Sequence, residues 1–243
     1  MPQCPAPIFL RGLRPEAYAC RAGYGSHRAV VRILELMRRY RFVLHLDVMT
    51  YFPSIDRGIL LALVERRIRD RQFLAVVGRV LEAGAGIYEL PETRERAGWP
   101  PGWPPPGRGI AIGSSVSQLF AAQVYLAELD HFLKRRLKVP GALRYLDDLF
   151  CFGDRRAELR RWRGEIASWL EAERGLRLKH PAAPVLPCRG DLDGLGYRVT
   201  RAGFHVRRRA LAHLRWRLAS AVGGDPAVEI ERSIASSVGV ALF

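Results

Sequence analysis

Arg144-Tyr145-Leu146-Asp147-Asp148-Leu149-Phe150-Cys151-Phe152 is the stretch that decides the fold. Apolar, β-prone residues flank two adjacent aspartates, a pattern that predicts a β-hairpin with the acids at its tip. Neighbouring carboxylates repel each other, and a hydrophobic core has no use for them. Two readings follow from these residues alone: a solvated Asp-Asp turn, or a pair held together by a divalent cation. A third acid elsewhere in the chain shifts the balance to the second.

That acid stands upstream. Phe42-Val43-Leu44-His45-Leu46 is another β-rich run, and it ends on Asp47. Strand ends are where mixed α and β folds often place their chemistry. Beyond it, an amphipathic helix is expected from about Arg57 to Arg69. Ser54 or Asp56 caps it, with metal ligation by Asp56 as the alternative reading. A further helix covers about Arg71 to Glu82. Gly84 to Gly109, rich in proline and glycine, predicts a long surface loop without regular elements, with Trp99 and Trp103 pinning it down or facing a partner. Gly109 to Gln118 then opens a long helix expected to run from Ser117 to Leu137. Glycine and small hydroxyl residues at such a start let a ligand approach the backbone closely.

Further out, Tyr18 to Ala29 predicts a tight loop feeding a helix of about Arg28 to Arg39. Arg21, His27 and Arg28 either contact a backbone phosphate there or stand solvated. Past the hairpin, Asp154 is expected to cap a helix reaching about Glu173, with Trp162, Ile166, Trp169 and Leu170 on its buried stripe. Short β-like runs follow at 176–178, 185–186, 195–199 and 204–206. A basic helix over Arg207 to Leu218, carrying Arg207, Arg208, Arg209 and Arg215, is suited to tracking a nucleic-acid backbone. Asp225 to Val238 predicts a last helix.

The composition bounds the class. A chain of 243 residues can bury a sizeable core as one domain or as one domain with a small appendage. The formal charge is +15, and lysine appears only at Lys134, Lys138 and Lys179. An arginine-rich excess of this size points to a polyanionic partner, with nucleic acid the natural one. Cys4, Cys20, Cys151 and Cys188 lack metal-binding spacing and read as reduced thiols. No apolar run approaches the roughly 18 residues that span a bilayer, and Met1-Pro2-Gln3-Cys4 does not open a signal peptide. The expectation is a cytoplasmic protein with no membrane partner.

Strand-acid, small-residue loop opening a helix, then hairpin-diacid: this order suits a sheet that brings Asp47, Asp147 and Asp148 together. In that order the chain resembles a bacterial reverse transcriptase, an RNA-directed DNA polymerase. Phe42 to Asp56 resembles the first palm motif of that family, Tyr145-Leu146-Asp147-Asp148 its Tyr-x-Asp-Asp box, and Leu195-Gly196-Tyr197 its primer-grip hairpin. The match covers about residues 18 to 206. Ile112-Gly113-Ser114-Ser115-Val116-Ser117-Gln118, where most bacterial members resemble Gln-Gly-x-x-x-Ser-Pro, is most similar to the enzymes of diversity-generating retroelements.

The resemblance implies an α+β fold, a right-hand polymerase palm with partial fingers and a short helical thumb. Partial fingers would occupy 1–41, the palm 42–200 with an insertion at 84–109, and the thumb 201–243. It implies Asp47, Asp147 and Asp148 as catalytic residues and as ligands of two Mg²⁺ ions, with Mn²⁺ as a substitute. Phe52 would exclude a ribose 2′-hydroxyl, and Ile112, Gly113, Gln118, Tyr145 and Lys179 would meet the nucleotide. Arg21, Arg28, Arg207, Arg208, Arg209 and Arg215 would meet nucleic acid. The implied partners are template RNA, a cDNA primer, dNTPs and a small basic accessory protein. Ile112 in place of an amide removes a hydrogen-bonding constraint on the incoming nucleotide, which predicts infidelity opposite adenine. The chain also departs from the family. It begins after the first fingers motifs, Lys179 and His180 replace a lysine-rich turn, and Gly194 stands where an aromatic precedes Leu-Gly-Tyr. These departures leave a truncated, catalytically silent nucleic-acid-binding protein as the rival reading; a defence-system reverse transcriptase is another, distinguished by genomic setting rather than by residues.

Overall fold

The structure is a computed structural model that describes residues 6–88, 90–99, 102–112 and 114–207. The expectations for Gly113, for Arg208, Arg209 and Arg215, and for the helix at 225–238 lie outside the described residues, as does most of the thumb.

After a short helix α1 (Ala6–Leu10) comes α2 (Ser26–Arg39), and the chain then enters β1 (Phe42–Leu46). Helices α3 (Tyr51–Ser54), α4 (Arg57–Glu65) and α5 (Arg71–Ala85) follow. Asp56 settles its own role by capping α4, its Oδ1 accepting from the Ile59 N–H at 3.0 Å. Asp70 does the same for α5, accepting from Gln72 and Phe73. Both satisfy backbone donors that a helix start leaves without partners.

The 84–109 segment is more ordered than its composition predicts. It holds a 3-10 turn at Gly86–Tyr88 and a helix α6 (Pro91–Ala97). Pro91 opens that helix, a position where the missing N–H is not needed, and Gly98 closes it with a φ of 63°,. Trp99 packs on both Tyr88 and Trp103, with ring centroids 5.7 and 4.7 Å apart. The tryptophans therefore pin the segment down.

The long helix expected over 117–137 is also different. It is α7 (Ser115–Phe120), a π-helical stretch Ala121–Tyr125, α8 (Ala127–His131) and a second π stretch Phe132–Arg136. Apolar periodicity marks such a run as helical but is too coarse to show where its winding changes.

The chain then forms β2 (Gly141–Tyr145), β3 (Asp148–Gly153) and α9 (Arg156–Arg174). Asp154 does not cap α9; its Oδ1 instead accepts from the Arg41 N–H at 3.1 Å, beside the start of β1. Strands β4 (Val185–Pro187), β5 (Leu192–Gly194), β6 (Tyr197–Val199) and β7 (Phe204–Val206) close the described chain. The run at 176–178 contributes a single bridge, Leu178 to Val48, rather than a strand.

β2, β3, β1 and β4 form one antiparallel sheet in that order, and β5, β6 and β7 a second. Alternation along β1 and β3 divides the core. Leu44, Leu46, Leu149 and Cys151 face α9 through Leu159, Trp162, Ile166 and Leu170. Val43, Phe150 and Phe152 face α2 and the smaller sheet through Ile33, Met37, Tyr197 and Val199. Helix α2 and the residue that caps it come so close to β2 that a Cβ on Gly141 would lie 3.0 Å from Leu36 and 2.6 Å from the Tyr40 ring. Cys151 and Cys188 are buried free thiols, and burial pushes them up to about 12 and about 11. Among the described residues, no helix is long and apolar enough to cross a membrane.

Candidate functional site

The strand registers bring the acids to one edge of the sheet. Leu46 opposite Leu149 is the last pair of β1 with β3, and Tyr145 opposite Asp148 the last of β2 with β3. Asp47 follows Leu46 directly, so it emerges beside Asp148. Asp147 occupies the two-residue turn with Leu146. Leu146 takes a φ of 55°, a conformation disfavoured for a side-chain-bearing residue by about 1 kcal/mol. The Arg144 guanidinium, itself buried, donates to the Leu146 carbonyl at 3.1 Å and helps hold that turn.

Burial pushes the Asp147 carboxyl up to about 6, and the charges of Asp148 and Asp47 add to the shift. Its own backbone N–H and the Lys179 ammonium oppose the shift without cancelling it. Each of the other two acids has a partner. The Lys179 ammonium lies 3.2 Å from Asp47 Oδ2, and the Lys179 backbone N–H donates to the Asp47 carbonyl at 2.9 Å. Asp148 Oδ1 is 2.6 Å from His45 Nε2, which carries the proton if the carboxylate accepts.

His45 is not one of the residues that define a sequence motif, although one sequence signal points to it. It stands two positions before Asp47 on a strand and so shares its face. Its ring stacks on Phe150, with centroids 4.3 Å apart and planes at 11°. Behind Phe150 lies Gly194, where a Cβ would come 2.7 Å from the ring. The missing aromatic at 194 thus makes room for Phe150. A line of contacts, Gly194 to Phe150 to His45 to Asp148, links the smaller sheet to the acids.

Three carboxylates offer the hard oxygen donors that Mg²⁺ or Mn²⁺ takes, and a cation would offset the desolvation and the repulsion that raise Asp147. The donor chemistry fits. The side chains nevertheless answer Lys179 and His45, and among the described residues no three His, Cys, Asp or Glu side chains are gathered as a metal cage.

The remaining predicted residues divide. Half-buried Phe52 follows Asp47 in α3, and its carbonyl accepts from the Ile110 N–H at 3.2 Å, joining it to the segment that carries Ile112. Ile112 is 60% exposed. Gln118 is exposed on α7, and its carbonyl lies 3.7 Å from the Cys20 sulfur. Tyr145 is half-buried, its phenol raised mainly by desolvation. Arg28 is exposed on the first turn of α2. Arg21 is engaged within its own loop, donating to the Arg14 carbonyl at 3.2 Å and covering the Tyr24 ring at 4.0 Å. Arg207 Nε lies 3.6 Å from Asp193 Oδ2. Asp47, Asp147, Asp148 and Lys179 are thus brought together, whereas Arg21 and Arg207 are held by local partners.

No protein-family model and no curated protein matches the chain. Solved structures do. Apo telomerase from Candida tropicalis, truncated from its C-terminal domain, superposes with a TM-score of 0.56 at 11% identity, over 83% of this chain and 44% of that one. Telomerase from Candida albicans, in complex with a fragment of telomeric RNA, gives 0.52 at 14% identity, over 88% and 42%. The chain spans less than half the length of these telomerase chains. At such identities the likeness carries the fold alone, and that fold is reverse-transcriptase-like.

Proposed function

We propose that the chain is an RNA-directed DNA polymerase, with a palm built on the four-stranded sheet, and that it is the error-prone enzyme of a diversity-generating retroelement. The observation that carries this reading is the strand register, which sets Asp47 at the end of β1 beside the turn that carries Asp147 and Asp148. The reverse-transcriptase-like fold supports it, as does the +15 charge.

Asp47, Asp147 and Asp148 would hold two Mg²⁺ ions, which supply Lewis-acid activation of a primer 3′-hydroxyl and charge neutralisation at the leaving pyrophosphate. The chain's own groups do the rest. Lys179 carries a cation beside Asp47, where developing negative charge on a leaving group needs one. Phe52 supplies bulk against a ribose 2′-hydroxyl. Ile112, exposed and without an amide, leaves the incoming base less constrained. His45, backed by Phe150, positions Asp148. Template RNA and a cDNA primer are the macromolecular partners in this reading, dNTPs the substrates, and a small basic protein the accessory.

A primer-extension assay on an RNA template with Mg²⁺ tests it. Wild type extends, and Asp147→Ala abolishes extension while RNA binding persists; extension retained by Asp147→Ala sinks the assignment. For the retroelement role, the coding region should lie beside a template and variable repeat pair.

One observation favours a second reading, a catalytically silent nucleic-acid-binding protein: Lys179 and His45 already engage two of the three acids. That reading predicts RNA binding with no extension at any Mg²⁺ concentration.

A further inference from the structure

A cavity of about 280 Å³ opens beneath the Pro-rich segment, away from the three acids. Arg57, Arg94 and Arg108 line it, together with the Tyr88 ring and Pro104 to Pro106. None of the described lining residues is acidic. No carboxylate among the described residues pairs with any of the three arginines, although ion pairs occur elsewhere on this chain.

Backbone carbonyls fix these guanidiniums instead. Arg57 donates to the carbonyls of Arg108 at 2.6 Å and Gly109 at 3.3 Å. Arg108 donates to the carbonyl of Gly175 at 2.7 Å. Arg94 reaches the Trp103 carbonyl at 3.5 Å, and its Nε is buried without any hydrogen-bond partner. A guanidinium has five N–H donors, so each keeps several after these contacts. Three cations near one hollow repel each other, and a carbonyl offsets that repulsion less well than an anion does. The prolines add walls with no N–H of their own. Arg108 and Pro105 also border a neighbouring cavity of about 420 Å³, whose Arg177 is paired with Glu171 at 3.7 Å.

We propose that this cavity binds the phosphate groups of a nucleotide or of an RNA backbone, separately from the acid site. Bidentate, charge-assisted hydrogen bonds from arginine suit phosphate oxygens. The proline walls offer an apolar surface to the rest of such a ligand.

The test is direct binding of pyrophosphate to the full chain in EDTA, followed by calorimetry. Without a divalent cation the acid site repels pyrophosphate, so the result does not depend on polymerase activity. Wild type is expected to bind saturably, and Arg94→Gln at least ten-fold more weakly. Arg160→Gln, which removes one exposed charge on α9 away from the lining of the cavity, should bind within two-fold of wild type. Pro106→Asp is the second variant. Pro106 is exposed and lines the cavity, so an aspartate there places a competing carboxylate at the cavity without disturbing a buried contact. It too should weaken binding at least ten-fold, and it decides the matter if Arg94→Gln does not fold. A short single-stranded RNA separates the two sources of phosphate. Competition with pyrophosphate that Arg94→Gln removes assigns the RNA backbone, and pyrophosphate binding that RNA leaves unaffected assigns a free nucleotide. No binding by wild type, or equal binding by wild type and the variants, overturns the proposal.

Discussion

Arg144 donates two hydrogen bonds of 2.7 Å to the two carboxylate oxygens of Asp130, and both side chains are 2% exposed or less. The pair joins α8 to β2, and the remaining Arg144 nitrogen reaches the carbonyl of Leu146, one residue before Asp147. Removing one partner strands the other charge in the core. Asp130→Ala should therefore destabilise the chain by about 3–5 kcal/mol, read from urea unfolding. Asp130→Leu with Arg144→Met, which removes both charges, should recover most of that loss.

Stability without metal should carry the signature of Asp147. Its folded pKa of about 6 lies above the unfolded value of 3.8. Between those values the folded state binds the extra proton, so the contribution of this group is most favourable below about 3.8. It declines as pH rises toward about 6 and is unfavourable above that. In EDTA at pH 7.5, Asp147→Asn should be more stable than wild type by on the order of 2 kcal/mol. The advantage should shrink at pH 4.5. Melting curves at the two pH values check this, and a pH-independent difference refutes it.

Gly194→Ala should test the contact line behind Asp148. The new methyl meets the buried Phe150 ring, an overpacking expected to destabilise by about 1–3 kcal/mol. Displacing that ring disturbs the His45 stack, so kcat for extension should fall more than the KM for dNTP rises. Adding Phe150→Leu should restore stability but not kcat, because the support for His45 is still missing.

At position 112 the expected effect is on copying alone. Ile112→Gln on an exposed turn should change stability by no more than about 0.5 kcal/mol. Sequenced extension products should show fewer misincorporations opposite adenine. An unchanged error spectrum removes Ile112 from the account of infidelity.

The hairpin, β1 and the acid at its end are legible because a short apolar run rich in β-branched and aromatic residues is a local property. The cap at Asp56 was legible for the same reason. The partners of the acids were not. His45 pairs with Asp148 across 103 residues, and Lys179 with Asp47 across 132. Only strand register and the return of the chain after α9 bring them together. Lys179 was named through family resemblance, and His45 had no such prompt. The Pro-rich segment was misread because proline density predicts irregularity, yet Pro91 sits where a helix accepts it and Tyr88, Trp99 and Trp103 form a small core. The π stretches at 121–125 and 132–136 leave no imprint on the apolar pattern, since one extra residue per turn shifts a stripe without erasing it.

Lys179 beside Asp47 sets a condition on any cation that the acids would take up. The ammonium and the His45 ring pair with two of the three carboxylates. In the proposed polymerase, loading would therefore be an exchange of counter-ions, with Lys179 giving way at Asp47.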